Sequence, residues 1–217
     1  MKVRAVPVSY IIEKMIKQEL AKLKQPITLM LFIDESKELE TKKTLSILKS
    51  YEENSNKKLN LDIITLSKSK DIIENYQIER FPTILLTDAE GNECIRYLAA
   101  PQGSEVKPFI QSLQVLSGRK NYYEETLKKN LDNIKTSTVK VMVTKSCAYC
   151  PELVNMVSQF ALGSSSKVKA EIIDILENPD IGDQYNIETV PYIVINNGEP
   201  LIGLISPNEL LERILKV

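Results

Sequence analysis

The sequence predicts an α/β protein in which one unit of alternating helices and strands occurs twice in tandem. Three observations carry this. Apolar residues switch repeatedly between helical spacing and continuous runs of strand length. The order of elements read over residues 7–116 returns over residues 122–217 after a short polar break. Finally, Tyr76-Gln77-Ile78-Glu79-Arg80-Phe81-Pro82 falls on Tyr185-Asn186-Ile187-Glu188-Thr189-Val190-Pro191 at a fixed offset of 109 residues, which also places Ile63-Ile64 on Ile172-Ile173.

The first unit opens with a helix over residues 7–23, where Ile11, Ile12, Met15, Ile16, Leu20 and Leu23 form one stripe. Residues 27–33 are a continuous apolar strand. A helical pattern follows through Leu39, Leu45, Leu48 and Tyr51, and residues 59–66 form a second strand. A short helix over 68–76 precedes Phe81-Pro82, a strand over 83–86, a turn at 88–92, a strand over 93–98 and a helix over 104–116.

Ser117-Gly118-Arg119-Lys120 is the break, which divides the chain into units 1–117 and 118–217. The second unit has a helix over 122–134, a strand over 138–144, and a helical stripe of Leu153, Val154, Val157, Phe160 and Ala161. A strand over 168–176 and a short segment lead to Val190-Pro191 and a strand over 192–195. Asn197-Gly198 is a hairpin signal before a strand over 201–205. In Ser206-Pro207-Asn208-Glu209, serine is the N-cap, proline is the first helical residue and glutamate the third, a capping box for the last helix.

At 217 residues and 43% hydrophobic content the chain can bury one large core or two of about 100 residues each, and two are expected. With 28 Lys plus Arg against 29 Asp plus Glu there is no single-sign field to attract nucleic acid or an anionic membrane. Charges interrupt the apolar residues of 1–18 every few positions, so no membrane span is expected there and the protein is expected in the cytoplasm. Histidine is absent, which removes Ser-His-Asp and Cys-His nucleophiles and histidine-containing metal sites. Chemistry must come from thiols or carboxylates.

The thiols are placed for it. Cys147-Ala148-Tyr149-Cys150 lies between a strand and a helix, where free N–H groups and the positive end of the helix dipole favour thiolate. Pro151 lacks an N–H and is tolerated among the first four helical positions. Ala148 is then the earliest first residue and Cys147 the expected N-cap, its sulfur facing the N–H groups of Tyr149 and Cys150. Cys147 reads as the nucleophile and Cys150 as the resolving thiol. Half of a zinc site is the alternative, but zinc needs four ligands, and the remaining cysteine, Cys94, lies in the other unit. Cys94 reads as a small buried side chain. At the offset of 109, Glu38-Leu39-Glu40-Thr41 occupies the place of the cysteine pair, so the first unit has no thiol site.

A strand, a C-x-x-C opening a helix and a later Val190-Pro191 resemble the thioredoxin and glutaredoxin superfamily. The whole chain is similar to the tandem protein disulfide oxidoreductases of thermophilic archaea and bacteria. Arg96-Tyr97 followed by Pro101-Gln102-Gly103-Ser104-Glu105 is similar to that family's R-Y…P-x-G-x-E stretch. The resemblance implies two thioredoxin-like domains, each a mixed β-sheet flanked by helices. It also implies dithiol/disulfide exchange through Cys147 and Cys150, and a cis peptide before Pro191 facing them. Val190 and Pro191 would hold the substrate backbone, and Tyr149 stands where glutaredoxin-type sites also have tyrosine.

The chain departs from the pattern twice. The first unit lacks its C-x-x-C, and Val141 stands where thioredoxin has a buried aspartate, so a carboxylate proton acceptor must come from elsewhere. No metal or bound cofactor is implied, since the redox-active disulfide is itself the carrier and electrons come from a separate reductase. Expected partners are protein disulfides and dithiols, with a thioredoxin reductase-like flavoprotein and a peroxiredoxin. Two other roles fit the same residues: an electron-transfer module between a flavin-dependent reductase and a peroxiredoxin, and a non-catalytic binding or holdase module.

Overall fold

In the computed structural model, which describes residues 10–217, the first half runs α1 (Tyr10–Leu20), β1 (Ile27–Ile33), α2 (Glu38–Asn54), β2 (Leu59–Thr65), α3 (Lys70–Asn75), β3 (Thr83–Thr87), β4 (Glu93–Leu98) and α4 (Val106–Leu116). The second runs α5 (Glu124–Asn130), β5 (Ser137–Val143), α6 (Cys150–Gly163), β6 (Val168–Asp174), α7 (Pro179–Gln184), β7 (Tyr192–Ile195), β8 (Leu201–Ile202) and α8 (Pro207–Lys216). Both halves follow the expected order. The part of the first expected helix before Tyr10, and the first half of the span 1–18 read for charge, lie outside the described residues.

Boundaries differ from expectation where backbone conformation intervenes. A 3-10 turn, Gly103–Glu105, precedes α4 because Gly103 takes φ +57°. The helix expected over 122–134 splits into α5 and a 3-10 turn, Leu131–Asn133. The strand expected to reach 205 stops at Ile202, since Gly203 turns the chain at φ +85°. The predicted cap of α8 is present: the Glu209 N–H donates to Ser206 Oγ at 3.1 Å.

All eight strands form one mixed sheet of order β2-β1-β3-β4-β6-β5-β7-β8. Each half supplies four strands in the same arrangement, a parallel pair followed by antiparallel neighbours. Between the halves β4 pairs with β6 in parallel, from Ile95 opposite Ala170 to Leu98 opposite Ile173. Two sheets with bare inner edges are thereby replaced by one in which those edges satisfy each other. Pro82 and Pro191, 109 positions apart, both follow cis peptide bonds.

Packing differs between the sheet's two faces. On one, a single apolar body reaches from Ile16 and Leu20 through Phe109 and Leu113 to Val157, Phe160 and Ile214, with α4 packed on α6. The two separate cores expected are merged here, because β4–β6 pairing leaves no polar boundary beneath those helices. On the other face the apolar residues divide into a cluster of Phe32, Ile64, Ile73, Ile78 and Leu85 and one of Met142, Ile173, Ile181, Tyr192 and Val194. Arg96, Glu93 and Lys169 lie between, with Arg96 Nε donating to Glu93 at 2.7 Å and Lys169 3.2 Å from the same carboxylate.

Strand directions place the site. β1, β4, β6 and β5 run the same way, and β3 and β7 run opposite. The carboxyl ends of the first four and the starts of β3 and β7 therefore share one edge of the sheet. Cys147, Pro82 and Pro191 all lie along it. Among the described residues no helix is long and apolar enough to cross a membrane.

Candidate redox site

β5 ends at Val143, and a turn closed by the Cys147 N–H on the Thr144 carbonyl (3.1 Å) carries the chain to the first cysteine. Helix α6 begins at Cys150 with Pro151 in its first turn and Tyr149 at its N-cap position. This corrects the expected start at Ala148 and the N-cap role of Cys147. Proline is compatible with any of the first four positions, and the chain adopts it near the beginning rather than the end of that allowance. One expected contact survives the shift: the Cys150 N–H donates to Cys147 Sγ at 3.1 Å. The Tyr149 N–H makes no such bond.

Cys147 and Cys150 are joined as a disulfide, with Cα atoms 5.5 Å apart. Cys150 is wholly buried against α6-side core residues, whereas Cys147 is half-buried at the surface. Attack from outside can reach Cys147 alone. The Val190 carbonyl oxygen stands 3.9 Å from Cys147 Sγ, and the Val190-Pro191 peptide is cis. Pro191 is buried and its carbonyl accepts the Gly203 N–H at 2.8 Å, which ties the loop before β7 to the turn after β8. Tyr149 is 66% exposed beside the pair. The fold thus assembles Cys147, Cys150, Val190 and Pro191 from segments some 40 residues apart, with Tyr149 on the rim.

Sequence reasoning assigned no role to Glu105. It is 3% exposed, and neither carboxylate oxygen has a hydrogen-bond partner among the described residues. Burial, with the neighbouring Asp174 carboxylate adding to it, pushes its pKa up to about 8. The turn holding Glu105 packs against α6, and the Ser104 N–H donates to the Lys145 carbonyl at 2.9 Å, two residues before Cys147. Asp174 ends β6 opposite Val143 and alternates in step with Ala170 and Ile172, which face the same core as Cys150. Burial raises its pKa too, although one oxygen accepts the Leu176 N–H at 2.8 Å. The available signal was Glu105 itself, at the end of the Pro101-Gln102-Gly103-Ser104-Glu105 stretch.

Cys94 lies buried in β4, away from this edge, and desolvation pushes its thiol up to about 11.

Residues 137–216 match the family model described as a thioredoxin domain. A thioredoxin of Methanocaldococcus jannaschii is 32% identical over 78 residues, 36% of this chain and 92% of the relative. Over the full length, a protein disulfide oxidoreductase from Aeropyrum pernix K1 superposes with a TM-score of 0.86 at 25% identity, covering 99% of this chain and 95% of that one. The N-terminal domain of the alkylhydroperoxide reductase AhpF from Enterococcus faecalis has the same fold, with a TM-score of 0.86 at 24% identity over 96% of this chain and 100% of that one. The chain belongs to the thioredoxin family and is a thioredoxin-like disulfide oxidoreductase carrying a close cysteine pair at Cys147 and Cys150.

Proposed function

We propose that the protein exchanges dithiol and disulfide with protein substrates through Cys147 and Cys150. The observation that carries this is the asymmetry of the pair, one sulfur at the surface beside the Val190 carbonyl and the other wholly buried. In the reduced protein, Cys147 thiolate attacks a substrate disulfide. One substrate sulfur joins Cys147, and the other leaves as thiolate and takes a proton. Cys150 then loses its proton and attacks the Cys147 sulfur, which releases the second substrate thiolate and forms the internal disulfide. Val190 and Pro191 hold the substrate backbone beside the pair, and Tyr149 covers the approach.

Glu105 is the proton acceptor for Cys150 in this scheme. Its raised pKa lies close to that of an ordinary thiol, about 8.5, and transfer between groups of matched pKa is efficient. The unit 1–117, without a cysteine pair, supplies Glu105 and the adjoining sheet edge, while the unit 118–217 carries the thiols. The redox-active disulfide serves as the carrier without a prosthetic group, in a cytoplasmic setting. A Cys150→Ser variant tests the scheme: it should hold a mixed disulfide with a protein substrate that dithiothreitol releases. Failure to trap any such species would count against protein substrates.

A second role is favoured by the fold match to the AhpF domain: relay of electrons from a flavin-dependent reductase to a peroxiredoxin. Coupled NADPH consumption with candidate proteins of both kinds separates the two roles. A holdase role without thiol chemistry would instead survive replacement of both cysteines.

A further inference from the structure

The sheet edge that carries Cys147 continues into the first half as a second groove. Cis-proline Pro82 opens β3 on the same edge as Pro191 opens β7. Beside it is a cavity of about 290 Å³ walled by Leu39, Phe81, Pro82, Leu176 and Glu177. Leu39 is 77% exposed and Leu176 63%. Of the eight exposed large apolar side chains among the described residues, four (Leu39, Tyr149, Leu176 and Ile202) gather along this edge from four different segments of the chain. Scattered exposed apolar residues mean little, but convergence on one edge marks an interaction surface.

The first-half groove has the chemistry of an extended polypeptide site. Among the described residues neither the N–H nor the C=O of Phe81 has a hydrogen-bond partner, and the β1–β3 ladder ends at Thr83. A free donor and acceptor on one residue, flanked by apolar walls, is what strand addition needs. One wall of the groove also reaches the loop that leads to the thiols. The Glu177 carboxylate accepts from Lys43 Nζ on α2 at 2.5 Å, lies 3.8 Å from Lys145 Nζ, and takes the Ala100 N–H at 3.1 Å. Lys145 is two residues from Cys147. From Pro82 to Pro191 the edge crosses four strand spacings, β3-β4-β6-β5-β7, or about 19 Å. Roughly six extended residues cover that distance.

We propose that the thiol-less first half is a binding subsite for the substrate polypeptide, holding an extended apolar segment at Phe81, Leu39 and Leu176 while a cysteine of the same chain reacts at Cys147. The inference rests on the exchange chemistry proposed above. It makes the protein selective for disulfides embedded in long, non-native chains over small disulfides.

The test uses the full-length protein and the variant Leu39→Glu/Leu176→Glu, both changes at exposed positions. Two synthetic peptide disulfides serve as substrates, one with three residues around the cysteine and one extended by twelve apolar-rich residues. With wild type, KM for the long peptide should be at least fivefold lower than for the short one. The variant should erase that difference while leaving kcat and the short-peptide KM within twofold. Equal KM values in wild type, or a variant that leaves the long-peptide KM unchanged, would overturn the subsite. A cysteine-free fluorescent version of the long peptide gives an independent arm, since wild type should bind it and the variant should not. Exchange with neither peptide alongside retained cysteine-free binding would sink the exchange chemistry but support the subsite. Absence of binding would sink the subsite alone.

Discussion

The backbone N–H of Cys150 donates to the sulfur of Cys147 across 3.1 Å. In the reduced protein the same donor, with the other free N–H groups of the first turn of α6, stabilises negative charge on Cys147. A thiolate absorbance titration should therefore show Cys147 ionising below the free-cysteine value of about 8.5. A midpoint at or above it would mean that this N–H turns away on reduction. Cys147→Ser should abolish dithiothreitol-driven insulin reduction.

Glu105 gives a pH signature. If it takes the proton of Cys150, resolution of a mixed disulfide should accelerate as pH rises through about 8, and Glu105→Gln should slow it at least about tenfold and remove that inflection. Rapid-quench measurement of mixed-disulfide decay checks both. An unchanged profile in the Gln variant would assign the proton to another acceptor.

Stability should follow the same group with a definite sign. Its folded pKa, about 8, lies above the ordinary carboxyl value of 4.5, so the folded state holds a proton that the unfolded chain has released. The stability this contributes is complete below the ordinary value and is lost as pH rises through the folded one. Glu105→Gln cannot ionise and should gain relative to wild type across that window, by roughly 2–4 kcal/mol at pH 9. Urea unfolding at pH 4.5 and pH 9 would show it, and a constant difference between the proteins would contradict it.

Gly103 holds the turn of Glu105 against the loop before Cys147. A Cβ there would lie 2.3 Å from the Lys145 carbonyl oxygen, and φ is +57°. Since the contact is with backbone, Gly103→Ala should cost about 2–4 kcal/mol and alter the rate at which Cys147 reacts with a small disulfide. Thermal unfolding and stopped-flow oxidation read the two effects separately.

Cys94 should be inert. Burial pushes its thiol up to about 11, so in the native protein with the disulfide intact iodoacetamide at pH 8 should label no cysteine. Cys94→Ala should retain full exchange activity. Rapid labelling of Cys94 would show that β4 opens readily.

Much of the site was legible in the chain because its signals are local. Cys147 and Cys150 share one turn with Pro151, and Val190-Pro191 follows a segment that repeats the context of Phe81-Pro82. The capping box of α8 was readable for the same reason, since Ser206 and Glu209 are neighbours along the chain. The helix start beside the thiols was not, because proline restricts it to a range of positions without choosing among them.

By itself the sequence determined the order of elements, the offset of 109 residues and the presence of one thiol pair in the second half, all properties of neighbouring residues or of spacing. The tertiary structure alone decided that β4 pairs with β6, so that two sheets become one. It also decided that Glu105, 42 positions before Cys147, packs against the cysteine helix with no hydrogen-bond partner for its carboxyl group among the described residues. The reason is physical. Spacing along the chain reports which face of an element is apolar, whereas a strand edge's partner and the desolvation of a carboxylate depend on contacts between segments distant in sequence.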